Sequence, residues 1–351
     1  MRKEPSIRLT CPIPRSEYET IQMAHGGGGK LTGQLIDRMF MTALGNPILE
    51  KAHDGAFLSM NTSELAFTTD SFVVNPLFFP GGSIGDLAVN GTVNDLACCG
   101  SVPLFLSLAF ILEEGLPIET LWQVVLSIKK ASEKVGVKIV TGDTKVVEKG
   151  KGDAIFINTS GIGERIKGTR IGPERCRPGD VVIINGPIAE HGIAILSRRE
   201  GLDFSPSVRS DTAPLSPMIT DLLQKVRSVN VLRDPTRGGL ASALNEICGS
   251  SGTGIELYEE NIPVSEAVRG ACEILGLDPL YIANEGKVLV ILPEKDAEKA
   301  LEILRSHAEG TGSTVIGKVL EAHPGIVRLR TLVGSTRIVD MISGEQLPRI
   351  C

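Results

Sequence analysis

Six aspartates stand where a chain commonly hands carboxylates to a ligand: Asp54 in "HDGA", Asp70 in "TTD", Asp86 in "IGD", Asp95 in "VND", Asp143 in "TGD" and Asp234 in "RDPTRGG". Most follow an extended stretch or lie beside glycine and threonine. Mg2+ takes a few carboxylates and completes its shell with phosphate oxygens and water, so several loops giving one aspartate each would hold it on a nucleotide. Any one of these aspartates alone equally suits a helix cap or a turn. "HGGGGK" at 25–30 is the companion feature. Its glycines let the backbone come close to a ligand and turn N–H groups toward phosphate oxygens. The GxxxxGK[ST] pattern is not met, and a flexible loop before a helix is the plain alternative. His25 at the head of the run contacts phosphate or caps the loop.

Further along, Lys145 lies two residues past Asp143 and Arg237 three past Asp234. Each is a cation beside a candidate carboxylate. Lys145 would neutralise a phosphate or a developing oxyanion, or is a solvated strand-end lysine; Arg237 contacts phosphate or pairs with a nearby carboxylate. Glu285 in "ANEG" precedes an apolar run, where burial would raise its proton affinity into a range useful to a base. His191 in "PIAEHG" follows a strand and turn and is the second candidate for proton removal. Their ordinary readings are a loop carboxylate and a helix-start residue. At the other end the chain closes "SGEQLPRIC", with a thiol on its last residue, Cys351. A terminal cysteine packs poorly, so this thiol is either incidental or carried for use.

Those residues need elements to hold them. "ELAFTTDSFVV" (64–74), "VPLFLSLAFIL" (102–112), "VKIVTGDTKVV" (137–147) and "AIFINTSGIGE" (154–164) read as strands. "GDLAVNGTVNDLACCG" (85–100) reads as a helix rich in small residues, and 31–44 as another. Over 119–135, Leu121, Val125, Ile128 and Val135 form a helical stripe. "CRPGD" (176–180) breaks the pattern, after which "VVIINGPIAEHG" opens a new strand–turn–helix unit. The second half alternates helices near 215–228, 239–249, 264–275 and 295–308 with strands near 254–258, 287–292 and 313–319. This mixed α/β, or α+β, pattern divides into an N-terminal domain (1–177), a C-terminal α/β domain (178–338) and a mobile tail (339–351).

A chain of 351 residues suits two domains. A net charge of −6 with scattered carboxylates argues against a general nucleic-acid surface. No signal peptide is evident in "MRKEPSIRLTCPIP", and the apolar run 102–112 is too short to cross a membrane. The expected compartment is the cytoplasm. Seven cysteines without an even framework are expected to be reduced thiols; those at 98, 99, 248 and 272 are expected to act as small core residues. Cys11 has no partners nearby that would make a metal site.

The glycine loop, "TTD", "GD…NGTVNDL", "TGDTKV" and "RDPTRGGL", in this order, resemble the superfamily of aminoimidazole ribonucleotide synthetase, selenophosphate synthetase and thiamine-phosphate kinase. Within it "AHGGGGK", "GDTKVVEKG", "GPIAEHG", "DPTRGGLA", "NEG" and the terminal "PRIC" resemble the HypE family of hydrogenase maturation factors. The resemblance runs from about residue 23 to 351. Departures are Gly27, where a small residue such as alanine is expected, and "ACC" at 97–99, where larger apolar residues are.

The resemblance implies the two-domain synthetase-like fold, a homodimer through the first domains, and ATP with Mg2+. It implies that Cys351 receives a carbamoyl group from the carbamoyltransferase HypF and that ATP drives dehydration of the thiocarbamate to a thiocyanate. The cyano group then passes to iron in the HypC–HypD complex, as the cyanide ligand of [NiFe]-hydrogenase. On this reading Asp70, Asp95 and Asp234 hold magnesium, with Asp86 a further candidate. His25, Gly26, Gly28, Asp54, Asp143 and Arg237 serve the nucleotide, and Lys145, His191 and Glu285 the chemistry, the base being Glu285 or His191. A 13-residue tail reaches at most roughly 43–47 Å, enough to enter a cleft or present the thiol outside. A sister enzyme would keep the aspartates without needing the thiol, and an ATP-binding scaffold would leave Cys351 unchanged.

Overall fold

The computed structural model describes residues 18–27, 29–51, 56, 58–61, 64–202 and 207–341. The first half builds a four-stranded sheet in the spatial order Leu65–Phe72, Ile155–Arg165, Ser101–Glu113, Lys138–Val147. The first three strands pair antiparallel, and the last pairs parallel to Ser101–Glu113. A parallel pair needs a crossover, and the helix Ile118–Val135 supplies it. Of the stripe read from the sequence, Leu121, Val125 and Ile128 are fully buried on it and Val135, at its end, is half-buried. The helix stops at Gly136, whose φ of 79° is the left-handed cap that glycine adopts without a Cβ penalty.

The centre of the molecule is the helix Ile84–Cys98. Every residue on it except Asp86 and Asp95 is buried, so it is enclosed on all sides rather than amphipathic. Its small residues explain the fit. A Cβ on Gly91 would lie 2.9 Å from the Phe72 ring, and one on Gly85 would run into Ser127. From the sheet side, a Cβ on Gly161 would meet Leu96 and Thr92 at 2.8 Å. Glycine at these points lets helix and sheet approach closely.

The second half forms a seven-stranded sheet in the order Thr336–Ile338, Val327–Arg330, Gly254–Tyr258, Thr314–Leu320, Asp180–Ile184, Leu289–Pro293, Val231–Arg233. Its central strands Asp180–Ile184 and Leu289–Pro293 are apolar on both faces, because helices cover both. Val182 and Ile184 face a core with Ile193, Leu240 and Val268. Val181 and Ile183 face another with Ile219, Leu222 and Leu304. Ala97 and Cys98, at the end of the central helix, belong to that last core, so the helix spans both halves.

Three differences from the sequence reading have local causes. The helix expected over 31–44 is interrupted by a π-helical stretch, Ile36–Phe40. The strands Val231–Arg233 and Thr336–Ile338 are too short to show alternation, and Val327–Arg330 alternates over four residues alone. Cys99 is exposed rather than a core residue, because it lies just past the helix end. Exchanging Gly161 for valine should force the central helix off the sheet and cost about 1–3 kcal/mol; chemical denaturation would read this as a lower midpoint, and an unchanged midpoint would refute the close approach.

Candidate functional site

Four carboxylates converge at the C-terminal half of the central helix. Asp70 comes from the strand Leu65–Phe72; its Oδ1 accepts the Ser71 N–H at 2.7 Å. It faces the helix, with Oδ2 3.6 Å from the position of a Gly91 Cβ. Asp95 comes from the helix itself and accepts the Thr68 hydroxyl at 2.9 Å. Asp234 follows the edge strand Val231–Arg233, and Glu285 lies in the turn before Leu289–Pro293.

All four hold protons more tightly than usual. Burial is the main cause for each. For Asp95 the Asp70 charge adds to it. Burial and then the Asp95 charge push Asp234 from 3.8 up to about 7. Glu285 is raised well above its ordinary value by burial, then by Asp211, Asp234, Asp70 and Asp95. Arg237 offsets part of this at Asp70, and Arg233 does so at Asp95 and Asp234. Such a group is short of positive charge. Among the described residues, no three His, Cys, Asp or Glu side chains form a metal cage by themselves. An all-oxygen set that leaves most of the shell to other ligands has the donor chemistry of Mg2+ on a phosphate rather than of a closed protein site.

The other candidates fall elsewhere. Asp86 sits in the first turn of the central helix, where Ser83 donates to it at 2.7 Å and its own N–H bonds back to Ser83; this is a capping arrangement. Asp143 and Lys145 project from the strand Lys138–Val147 and form an ion pair of 3.2 Å. They line a cleft of about 720 Å³ that also includes Gly26, Phe40 and Phe110. The cross-strand register sets Asp70 opposite Thr159, Thr159 opposite Leu108, and Leu108 opposite Gly142. Asp70 and the Asp143 pair are therefore three strand spacings apart, about 14 Å, and point to opposite faces.

His25 accepts the Gln22 N–H on Nδ1 at 2.9 Å, the loop-capping alternative. Gly26 packs against Val146 so tightly that a Cβ would strike its backbone nitrogen. His191 is fully buried, 2.8 Å from the Ser210 hydroxyl and edge-on to Phe79. The structure seats it in the seam between the halves and places Glu285 among the aspartates. Gly28, Asp54 and Cys351 lie outside the described residues. Asp211 and Lys287 were not anticipated. Asp211 sits in the patternless stretch "VRSDTAPL", and the only signal for Lys287 was its place directly after "NEG".

Residues 52–165 match the family described as AIR synthase related protein, N-terminal domain, and 177–330 match its C-terminal domain. The two matches define a two-domain AIR-synthase-related protein. The chain is 48% identical over 332 residues to the carbamoyl dehydratase HypE of Azotobacter vinelandii, covering 95% of this chain and 97% of that protein. It superposes on a structure of the hydrogenase maturation protein HypE in complex with ATP with a TM-score of 0.91, at 48% identity, covering 94% of this chain and 99% of the other. A HypE–HypF complex matches with a TM-score of 0.78 at 49% identity, covering 88% and 99%. The chain belongs to the HypE family, the carbamoyl dehydratases of hydrogenase maturation.

The raised value of Asp234 has a stability consequence. A carboxyl whose folded value lies above its unfolded one contributes stability below the unfolded value and loses it as pH rises through the folded one. In metal-free buffer, wild-type melting temperature should fall between about pH 4 and pH 7 more steeply than that of Asp234→Asn. Equal slopes would show that Asp234 is not the strained carboxylate.

Proposed function

We propose that the protein dehydrates a carbamoyl group carried on Cys351, turning the thiocarbamate into a thiocyanate at the expense of ATP. An amide oxygen is a poor leaving group. Phosphorylation of that oxygen by ATP makes it a good one; loss of the nitrogen protons then expels phosphate and leaves S–C≡N. The observation that carries this reading is Glu285, buried among three aspartates with its proton affinity raised well above normal. A carboxylate of that kind is a competent acceptor for the nitrogen protons. His191, held by Ser210, is better suited to fixing the seam.

In this proposal Asp70, Asp95 and Asp234 hold Mg2+, which supplies charge neutralisation at the phosphates when bound. Asp86 stays with its cap. The cleft at Gly26 and Asp143 takes the nucleotide: Phe40 and Phe110, stacked at 5.3 Å, give a purine an apolar wall. Lys145 stands at its charged side, where it would meet the nucleotide; about 14 Å and a sheet separate it from the Asp70 cluster of its own chain. Arg237, exposed next to the cluster, meets the phosphates from the other side.

The open face of the first sheet supports a homodimer. Leu65, Phe67 and Ile111 are exposed there, Phe67 at 70%, and Asp143 and Lys145 share that face. A second copy covering it would bury the apolar residues and enclose the ion pair. HypF as the carbamoyl donor and the HypC–HypD complex as the cyano acceptor complete the sequence; the first is supported by the HypE–HypF complex of a relative. The need for ATP and a reduced thiol suits the cytoplasm.

Two experiments test this. Thiols of the purified protein are carbamoylated with cyanate, ATP and Mg2+ are added, and the C-terminal peptide is weighed. Loss of one water confined to Cys351 and dependent on ATP is expected, and Glu285→Gln should slow it by about 10²–10⁴-fold. A carbamoyl group that survives with ATP bound would overturn the dehydratase reading. Separately, Phe67→Glu should convert a dimer into a monomer in sedimentation, and an unchanged mass would remove the first sheet from the interface.

A further inference from the structure

The turn that carries Glu285 is held by an ion pair that the proposed chemistry does not use. Asp211 lies in residues 207–215, which form no helix or strand and lead into the helix Ser216–Lys225. Its side chain is 1% exposed. One carboxylate oxygen accepts the Glu285 N–H at 3.2 Å and the other accepts the Gly286 N–H, also at 3.2 Å. The second oxygen lies 3.3 Å from the Lys287 ammonium, which is also 3.7 Å from Glu190. Lys287 is 8% exposed. Its cost of burial is offset by these two carboxylates.

The clamp is continuous with both halves of the molecule. Gly286 must be glycine, since a Cβ would run into the Asp211 carbonyl. Asn185 bonds the Gly286 carbonyl at 3.1 Å and the Val288 N–H at 2.8 Å. Asn284 donates to the Pro235 carbonyl at 2.8 Å, which ties this turn to the residue after Asp234. The segment around Asp211 is fixed in turn to the first domain. Ser210 N–H donates to the Pro80 carbonyl at 2.7 Å, and Asn94 of the central helix bonds the Ala213 carbonyl at 3.0 Å and the Leu215 N–H at 2.8 Å.

We infer that Asp211, oriented by Lys287, is a positioning residue that fixes the Glu285–Gly286 turn against the first domain and so sets where the Glu285 carboxylate meets its substrate. The assignment rests on the dehydratase reading for its catalytic consequence. The hold on the turn itself rests on the hydrogen bonds alone.

Asp211→Asn is the discriminating variant. It is nearly isosteric, it keeps one acceptor oxygen, and Lys287 retains Glu190 as a partner. It replaces the second acceptor by an amide N–H2 that cannot accept from Gly286. Two readouts are taken on the full-length protein. The first is ATP-dependent dehydration of the S-carbamoylated protein; the second is amide exchange at Glu285 and Gly286. The expected result is a kcat lower by about 10–100-fold with KM for ATP unchanged, since a small misplacement at the reacting centre is costly, together with faster exchange at both amides. Adding Lys287→Met to Asp211→Asn should lower kcat little further, because the two residues act as one unit. An unchanged kcat, or a KM for ATP that rises in step with its fall, overturns the positioning role. If the wild-type protein does not dehydrate its thiocarbamate, the dehydratase reading fails by itself. The exchange measurement then decides the clamp: unaltered protection in Asp211→Asn overturns it.

Discussion

The burial of one helix on all sides is the constraint from which the rest of the arrangement follows. Ile84–Cys98 lies between the first sheet and the second domain. A helix so enclosed cannot send its polar side chains to water, so each has to find a partner. Asn94 bonds the segment 213–215, Asn90 donates to Thr212 at 3.3 Å, and Asp86 is paired with Ser83. Asp95, half-buried among other carboxylates, is offset by the Thr68 hydroxyl and in part by the Arg233 charge. The polar residues of the helix thus do both jobs between its middle and its C-terminal end: Asn90 and Asn94 fix the two halves of the molecule together, and Asp95, next to Asn94, gathers negative charge.

In the proposed function that charge is the resource. Removing carboxylates from water raises their proton affinity, and gathering several compounds the effect. Without counter-charge such a cluster is poised between protonation and cation binding, as expected of a site that handles phosphate with magnesium. Glu285 shares this environment but comes from a different element, a tight turn held by backbone hydrogen bonds. The contrast between the exposed Asp143–Lys145 pair and the buried cluster divides the proposed work. One side offers cations and an apolar wall, the other carboxylates. About 14 Å and a sheet separate them within one chain.

The open face of the first sheet and the doubly covered second sheet follow from composition. Strands of the second sheet, such as "DVVII" and "LVILP", are apolar on both sides and attract helices to both. Those of the first alternate, as in "IFINTSGIGER", whose inward residues are buried and outward ones half-exposed. Alternation leaves one face uncovered, and the apolar residues still on it, Phe67 above all, mark it as a contact surface.

Much of this was readable from residue order. The helical stripe 119–135, the long strands, the break at 176–180 and the small-residue helix at 85–100 are local patterns, because periodicity and turn chemistry act over a few residues. The aspartates at 70, 95 and 234 and the glutamate at 285 could be singled out by their neighbours. That His191 packs against Ser210 and Phe79, that Gly26 is fitted to Val146, and that Asp211 and Lys287 clamp Glu285 depend on residues about twenty to more than a hundred positions apart. Such pairings leave no periodic trace, because they arise only when the chain closes on itself and water is excluded from between the partners. The sequence by itself determined which residue types were available for the chemistry and which elements would carry them. Tertiary structure alone decided which of them share a desolvated space, and desolvation is what turns ordinary carboxylates into a site.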